Sequence, residues 1–211
     1  MWNLLMKQIP SMFHYYVTDI RGIRGNGNCE FRAVAVCVGF GEDHWFYIRQ
    51  QLLDELLASY NVYAKVFTNG LNEIHTSLSL CDSRAPQQHW MVMPETSIFL
   101  NIGWLYILHC LSGMLNFLSN GECSTCFPLW KGPEEFQSHP IITIAHINGN
   151  HFVMVILEGD HPMPPILRYW VRHKAPPAVT WETMYMRRLE NYRQLNPRCF
   201  EKDFVDLLYF S

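Results

Sequence analysis

The chain of 211 residues predicts a mixed α/β (α+β) fold, a small central β-sheet flanked by helices. Three observations point there. Trp45, Ile48, Leu52, Leu56 and Tyr60 recur at spacings of three and four, which marks a helix with one inward face. The runs Ile141 to Ile147 and His151 to Leu157 read as strands around Asn148-Gly149, the dipeptide a type I′ hairpin turn prefers. A Gly/Asn-rich loop, Gly22 to Asn28, leads into a short helix from Cys29 to Val38, and Gly39 is a natural stop for it. With 49% hydrophobic residues, a chain of this length builds one well-packed core.

The remaining elements follow in chain order. Phe13 to Ile20 reads as an extended segment before the loop. The second helix begins after Gly41-Glu42-Asp43, whose carboxylates suit a helix N-terminus. Its polar face carries Arg49, Gln50, Asp54 and Glu55. Ser97 to Leu118 is apolar enough to resemble a membrane span, but Asn101, His109, Asn116 and two glycines interrupt it. A short helix after Pro94 and a buried strand from Leu105 to Leu111 fit it better. Glu134-Glu135 reads as loop. A two-residue turn at 148–149 sets His146 across from His151, and His151, Val153, Val155 and Leu157 share one strand face. Beyond Gly159 the prolines at 162, 164, 165, 176 and 177 indicate irregular wrapping or a linker. A last amphipathic helix, Trp181 to Leu195, ends before Pro197, with Arg187-Arg188 on a solvated face. The division is a main domain over 10–170 and a C-terminal helical extension over 171–211, packed back on the domain or appended to it.

Composition narrows the function. Net charge is -3 with 17% charged residues, so the chain lacks the basic footprint of a nucleic-acid binder. The aromatic residues, 14% of the chain, are spread along it and belong to a core. Seven cysteines at irregular spacing, with no signal-like N-terminus, suit buried thiols in a reducing intracellular compartment, either cytoplasm or nucleus. Cys123-Ser-Thr-Cys126 has the spacing of half a zinc site, and His109-Cys110 lies nearby. No second pair completes four ligands, so a buried strand is the better reading and no metal is expected.

Two residues carry chemistry. A cysteine at a helix start feels the positive end of the helix dipole, which favours the thiolate; Cys29 sits there. Gly27 lets the preceding loop turn tightly, so that the amides of Asn26, Gly27 and Asn28 can gather beside the sulfur as an oxyanion hole. His151 opens a strand just past a turn, where it can project toward a cleft and act as a general base. A cysteine on an early helix and a histidine on a distant strand is the papain-like arrangement.

Beyond these residues the local sequence resembles a family. GNGNCEFRAVA is similar to the nucleophile motif of the ovarian-tumour (OTU) cysteine proteases, Asp-Gly-Asn-Cys-x-Phe-Arg, met at Gly27, Asn28, Cys29, Phe31 and Arg32. GFGEDHWFYIRQQLLDEL resembles the helix that follows. OTU-like domains of transposon-related, fungal and plant proteins also share Trp90-Met91-Val92-Met93-Pro94, Ser124 to Trp130, Asn150 to Val155 and Pro162-Met163-Pro164-Pro165. The resemblance covers about residues 10 to 170. It implies a papain-like fold and a monomeric, cofactor-free deubiquitinase whose partner is ubiquitin or a ubiquitinated protein, with no role for a membrane or directly bound nucleic acid. Cys29 would be the nucleophile, His151 the base, and residues 26–29 the oxyanion loop. Two positions depart from the motif. Asn26 replaces its aspartate, keeping an acceptor but losing the charge. Val153 stands where many members carry the residue that orients the histidine; Asp19 or Asn148 is left to supply that group. These departures raise a second reading, an inactive OTU-fold module that binds ubiquitin or a partner protein.

Overall fold

The computed structural model describes residues 2–67, 70–93, 96, 114–120 and 122–197. Five strands form one sheet: β1 (Val17–Arg21), β2 (Met114–Leu118), β3 (Ser124–Cys126), β4 (Ile141–Ile147) and β5 (His151–Leu157), in the order β1-β5-β4-β2-β3. β4 and β5 form the antiparallel hairpin, β1 adds antiparallel to β5, and β2 runs parallel to β4. The helices within the described residues include α1 (Trp2–Met6), α2 (Cys29–Cys37), α3 (Trp45–Ala58), α4 (Tyr60–Val66), α5 (Leu71–Leu78), α6 (Arg168–His173) and α7 (Thr180–Leu195). The chain is therefore α+β, a central sheet flanked by helices.

Apolar alternation along the strands feeds two buried clusters on opposite faces of the sheet. Ile142, Ile144 and Phe152 join the larger one with Phe31, Val34, Ile48, Leu52 and Leu56 of α2 and α3. Ala145, Ile147, Val153 and Val155 join the smaller one with Ile9, Phe13 and Tyr192. α7 serves both faces. Trp181 and Tyr185 stack on Phe127 at 5.5 Å, while Tyr192 lies 6.2 Å from Phe13. α7 thus contributes buried side chains to both clusters.

Several local expectations are corrected. Residues 13–16 belong to a 3-10 turn, Ser11–Tyr16, and only Val17–Arg21 is strand. The hairpin loop has three residues. Asn148 and Gly149 are left-handed at φ 54° and 71°, and Asn150 joins them, so Ile147 faces His151 and His146 faces Phe152. Arg49 and Glu55 are buried although they sit among polar neighbours, as is Arg188. Arg187 alone of its pair is solvated, in an ion pair with Asp160. Glu134 and Glu135 lie in a 3-10 turn. The proline-rich segment flanks the sheet rather than linking units: Thr125 donates its N–H to Pro165 and accepts that of Leu167. The strand expected at 105–111 and the helix after Pro94 lie outside the described residues. Among those described, no helix is long and apolar enough to cross a membrane.

Candidate active site

α2 is apolar on nearly every side, and residues Cys29 to Ala35 are all buried. A helix with no polar face must be buried throughout. It packs against β5, which sets the Cys29 sulfur beside the backbone N–H of Phe152. His151 is the residue before. Its ring lies near the backbone of Ile23 and against Gly25, where a Cβ would stand 3.6 Å from Nδ1. The start of β5 therefore lies beside both the Cys29 sulfur and the loop that precedes it. Alternation sends the His151 side chain off the strand on the face opposite Phe152.

The loop before Cys29 is tightly held. Asn26 accepts the Asn28 N–H and the Arg32 Nε–H at Oδ1, at 3.3 and 3.2 Å, and donates Nδ2 to the Ser83 carbonyl at 2.7 Å. The amide thus performs the acceptor role an aspartate would, and adds a donor. Its backbone carbonyl accepts from Ala85, whose own carbonyl accepts from the Trp90 indole at 3.1 Å. Gly27 is left-handed at φ 80°, and a Cβ there would overlap the Ala85 carbonyl. Only glycine fits. Of the loop amides expected to hold an oxyanion, that of Asn28 is already engaged by Asn26, and that of Cys29 stands by its own sulfur.

Beneath the loop lies Arg49, with 0% exposure. Nη2 donates to Asn28 Oδ1 at 2.6 Å, and Nη1 donates to the carbonyls of Ser77 and His89. Its guanidinium also lies 4.0 Å over the Phe31 ring, a cation–π contact. One planar fork thereby ties α3, the end of α5 and the 3-10 turn at 87–89 to the residue that precedes Cys29.

The electrostatics describe a resting site. Burial, and then the charge of Glu30, push the Cys29 thiol up to about 12. Its S–H donates to Glu30 Oε2 at 3.5 Å. Burial also lowers His151, so its imidazole is neutral at physiological pH.

The two residues expected to orient His151 lie elsewhere. Asp19 pairs with Ile156, five residues along β5, and its carboxylate meets Arg21 at 3.4 Å. Asn148 is held by the side chain of Gln8, which donates to its Oδ1 at 2.9 Å. At about 3.3 Å rise per residue, Asp19 is far out of hydrogen-bonding reach of the imidazole. Val153 is buried in the smaller cluster. The carboxylate whose field does reach His151 is Glu42, on the 3-10 turn Glu42–His44, where it also accepts the N–H and Nε–H of Arg24 at 3.0 Å. Glu30, Glu42 and Arg49 were not anticipated as site residues. The one available signal was the apolar character of α2, which forces any acid within it into the interior. Cys123 and Cys126 are buried about β3, and no metal-binding group of three or more ligands occurs among the described residues.

No protein-family model and no curated protein matches this chain. Among solved structures, the OTU domain of OTUD1 is similar at 16% identity and TM-score 0.43, covering 65% of this chain and 84% of that one. The viral OTU domain protease from Dera Ghazi Khan virus is similar at 13% identity and TM-score 0.43, over 70% of this chain and 85% of that one.

Proposed function

We propose that the chain is a cysteine hydrolase of the OTU type that cleaves the isopeptide bond at the C-terminus of ubiquitin. The observation that supports this reading is a helix-opening Cys29 whose sulfur lies beside the N–H of Phe152, the residue after strand-opening His151, next to a loop whose shape requires Gly27. In the reaction, neutral His151 takes the proton of Cys29 as sulfur attacks the carbonyl carbon. A sulfur–carbon bond forms while the carbonyl electron pair moves to oxygen. With the Asn28 N–H held by Asn26, the Cys29 N–H beside the sulfur is the loop donor closest to that oxyanion. When the oxygen pair returns, the C–N bond breaks, and the lysine amine leaves with the proton held by His151. Water, deprotonated by the same imidazole, then releases the acyl group and restores the thiol. Because the resting thiol is protonated, proton transfer accompanies attack rather than preceding it.

A second reading is favoured by the hydrogen bond from Cys29 to Glu30 and by the position of Asp19 opposite Ile156, far along β5 from His151: an inert module that binds ubiquitin. Ubiquitin bearing a C-terminal electrophile separates the two. A covalent adduct that Cys29→Ala abolishes supports the hydrolase. Binding with no adduct at any reagent concentration rejects it for the inert module.

A further inference from the structure

Glu30 is the side chain that the reaction above does not use. It is 1% exposed, sits one residue after the nucleophile, and receives the Cys29 S–H at 3.5 Å. A carboxyl taken out of water needs partners. Those here are the thiol, its own N–H and the N–H of Met91, with Arg49 of α3 contributing attraction at longer range. We propose that Glu30 is a positioning residue that clamps the nucleophile at rest: the Cys29 thiol donates to its carboxylate and becomes available to a base only when that hydrogen bond is given up.

The groups around the pair pull both ways: burial raises the Glu30 carboxyl as well as the thiol, and the partners of Glu30 draw it back toward the carboxylate. Cys29 lies in low-dielectric surroundings, where a carboxylate in contact with sulfur strongly opposes a second negative charge. Arg32 on the same helix and the Phe152 N–H favour the thiolate, yet burial and Glu30 outweigh them. His151, at the start of β5, is neutral and lends no positive charge to the sulfur. Glu42 acts on the imidazole rather than on the thiol. Arg49 connects the clamp to its surroundings, because the guanidinium that attracts Glu30 also grips Asn28 and the carbonyls of Ser77 and His89. A displacement of that segment, such as a substrate seated on it would produce, loosens Glu30 and Asn28 together.

The proposal rests on the hydrolase reading only for its purpose, and its test needs no ubiquitin. Trypsin leaves Cys29 alone with residues 25–32 and Cys81 alone with residues 66–84, so site-resolved iodoacetamide labelling reads each thiol separately. The rate at Cys29 is followed against pH in the wild type and in Glu30→Gln, which keeps the shape and an acceptor but removes the charge. The expected result is a midpoint lower by about one pH unit in the variant and about tenfold faster labelling below it, with exposed Cys81 unchanged. An unchanged midpoint, or a change only in the plateau rate, overturns the proposal, because Glu30 would then merely limit access. Should Glu30→Gln unfold, shown by rapid labelling of buried Cys126, Glu30→Asp decides. Withdrawing the carboxylate by one methylene lowers the midpoint if the clamp is real, and leaves it fixed if not. A shifted midpoint without a ubiquitin adduct rejects the hydrolase alone. An adduct with an unshifted midpoint rejects the clamp alone.

Discussion

Gly27→Ala tests the idea that one glycine fixes the loop before Cys29. The residue is left-handed at φ 80°, a conformation that costs an L side chain about 1–2 kcal/mol. Its new methyl would also stand 2.8 Å from the Ala85 carbonyl carbon and overlap the oxygen. That carbonyl belongs to backbone rather than to a flexible side chain, and it is already fixed by the Trp90 indole and by the Ala85 N–H bond to Asn26. The two segments must part, breaking roughly two hydrogen bonds at about 1 kcal/mol each. The total is about 3–4 kcal/mol. Gly39→Ala supplies the control, since Gly39 has nearly the same φ of 84° and open space around it. Its expected cost is the conformational part alone, about 1–2 kcal/mol. Urea denaturation of both variants measures the difference, and labelling of Cys29 in Gly27→Ala should rise as the loop lifts. Equal stability losses in the two variants would refute the argument, because the Ala85 contact would then count for nothing.

Two further outcomes follow from buried groups. Arg49→Lys loses the planar fork that serves Asn28, Ser77 and His89 together, and should cost about 3 kcal/mol in urea denaturation; a loss under about 0.5 kcal/mol would refute that role. His161 is 1% exposed, donates Nδ1–H to the Pro162 carbonyl at 3.0 Å, and is pushed down to about 4 by burial and by Arg188. Its folded value lies below its unfolded one, so between about pH 6.5 and 4 the unfolded chain binds the extra proton. The stability this group contributes is complete above about 6.5 and is lost as pH falls through about 4, up to roughly 3 kcal/mol. His161→Asn should flatten the urea midpoint against pH across that window, and a profile parallel to wild type would count against the assignment.

What could be read in advance was what depends on neighbours in sequence. The β4–β5 hairpin was legible because Asn148 and Gly149 are the two residues that tolerate left-handed backbone there. Its register slipped by one because Asn150 gives no sign of whether it closes the turn or opens the strand. α2 was legible from the loop before it and Gly39 after it. Arg49, Glu55 and Arg188 were misplaced for one shared reason. A charged residue reads as solvent-facing unless its partners are known, and these partners are distant: carbonyls at 77, 89 and 161 and the Tyr63 hydroxyl. The parallel pairing of β2 with β4 likewise has no local signal. The loop, the cysteine and the histidine could be read from type and spacing. The surroundings of the sulfur could not, because Glu30 becomes a partner only once burial of the whole helix is recognised.

The sheet order carries a consequence for how the protein comes into being. β1 is made early, but its hydrogen-bonding neighbour β5 is the last of the described strands to be synthesised. Non-local pairings of this kind form slowly. Until β5 docks, Cys29 lacks the backbone amide of Phe152 beside its sulfur. A nascent or truncated chain that stops short of β5 would therefore carry a chemically ordinary thiol, and whatever reactivity the finished protein has is withheld until its fold is nearly closed.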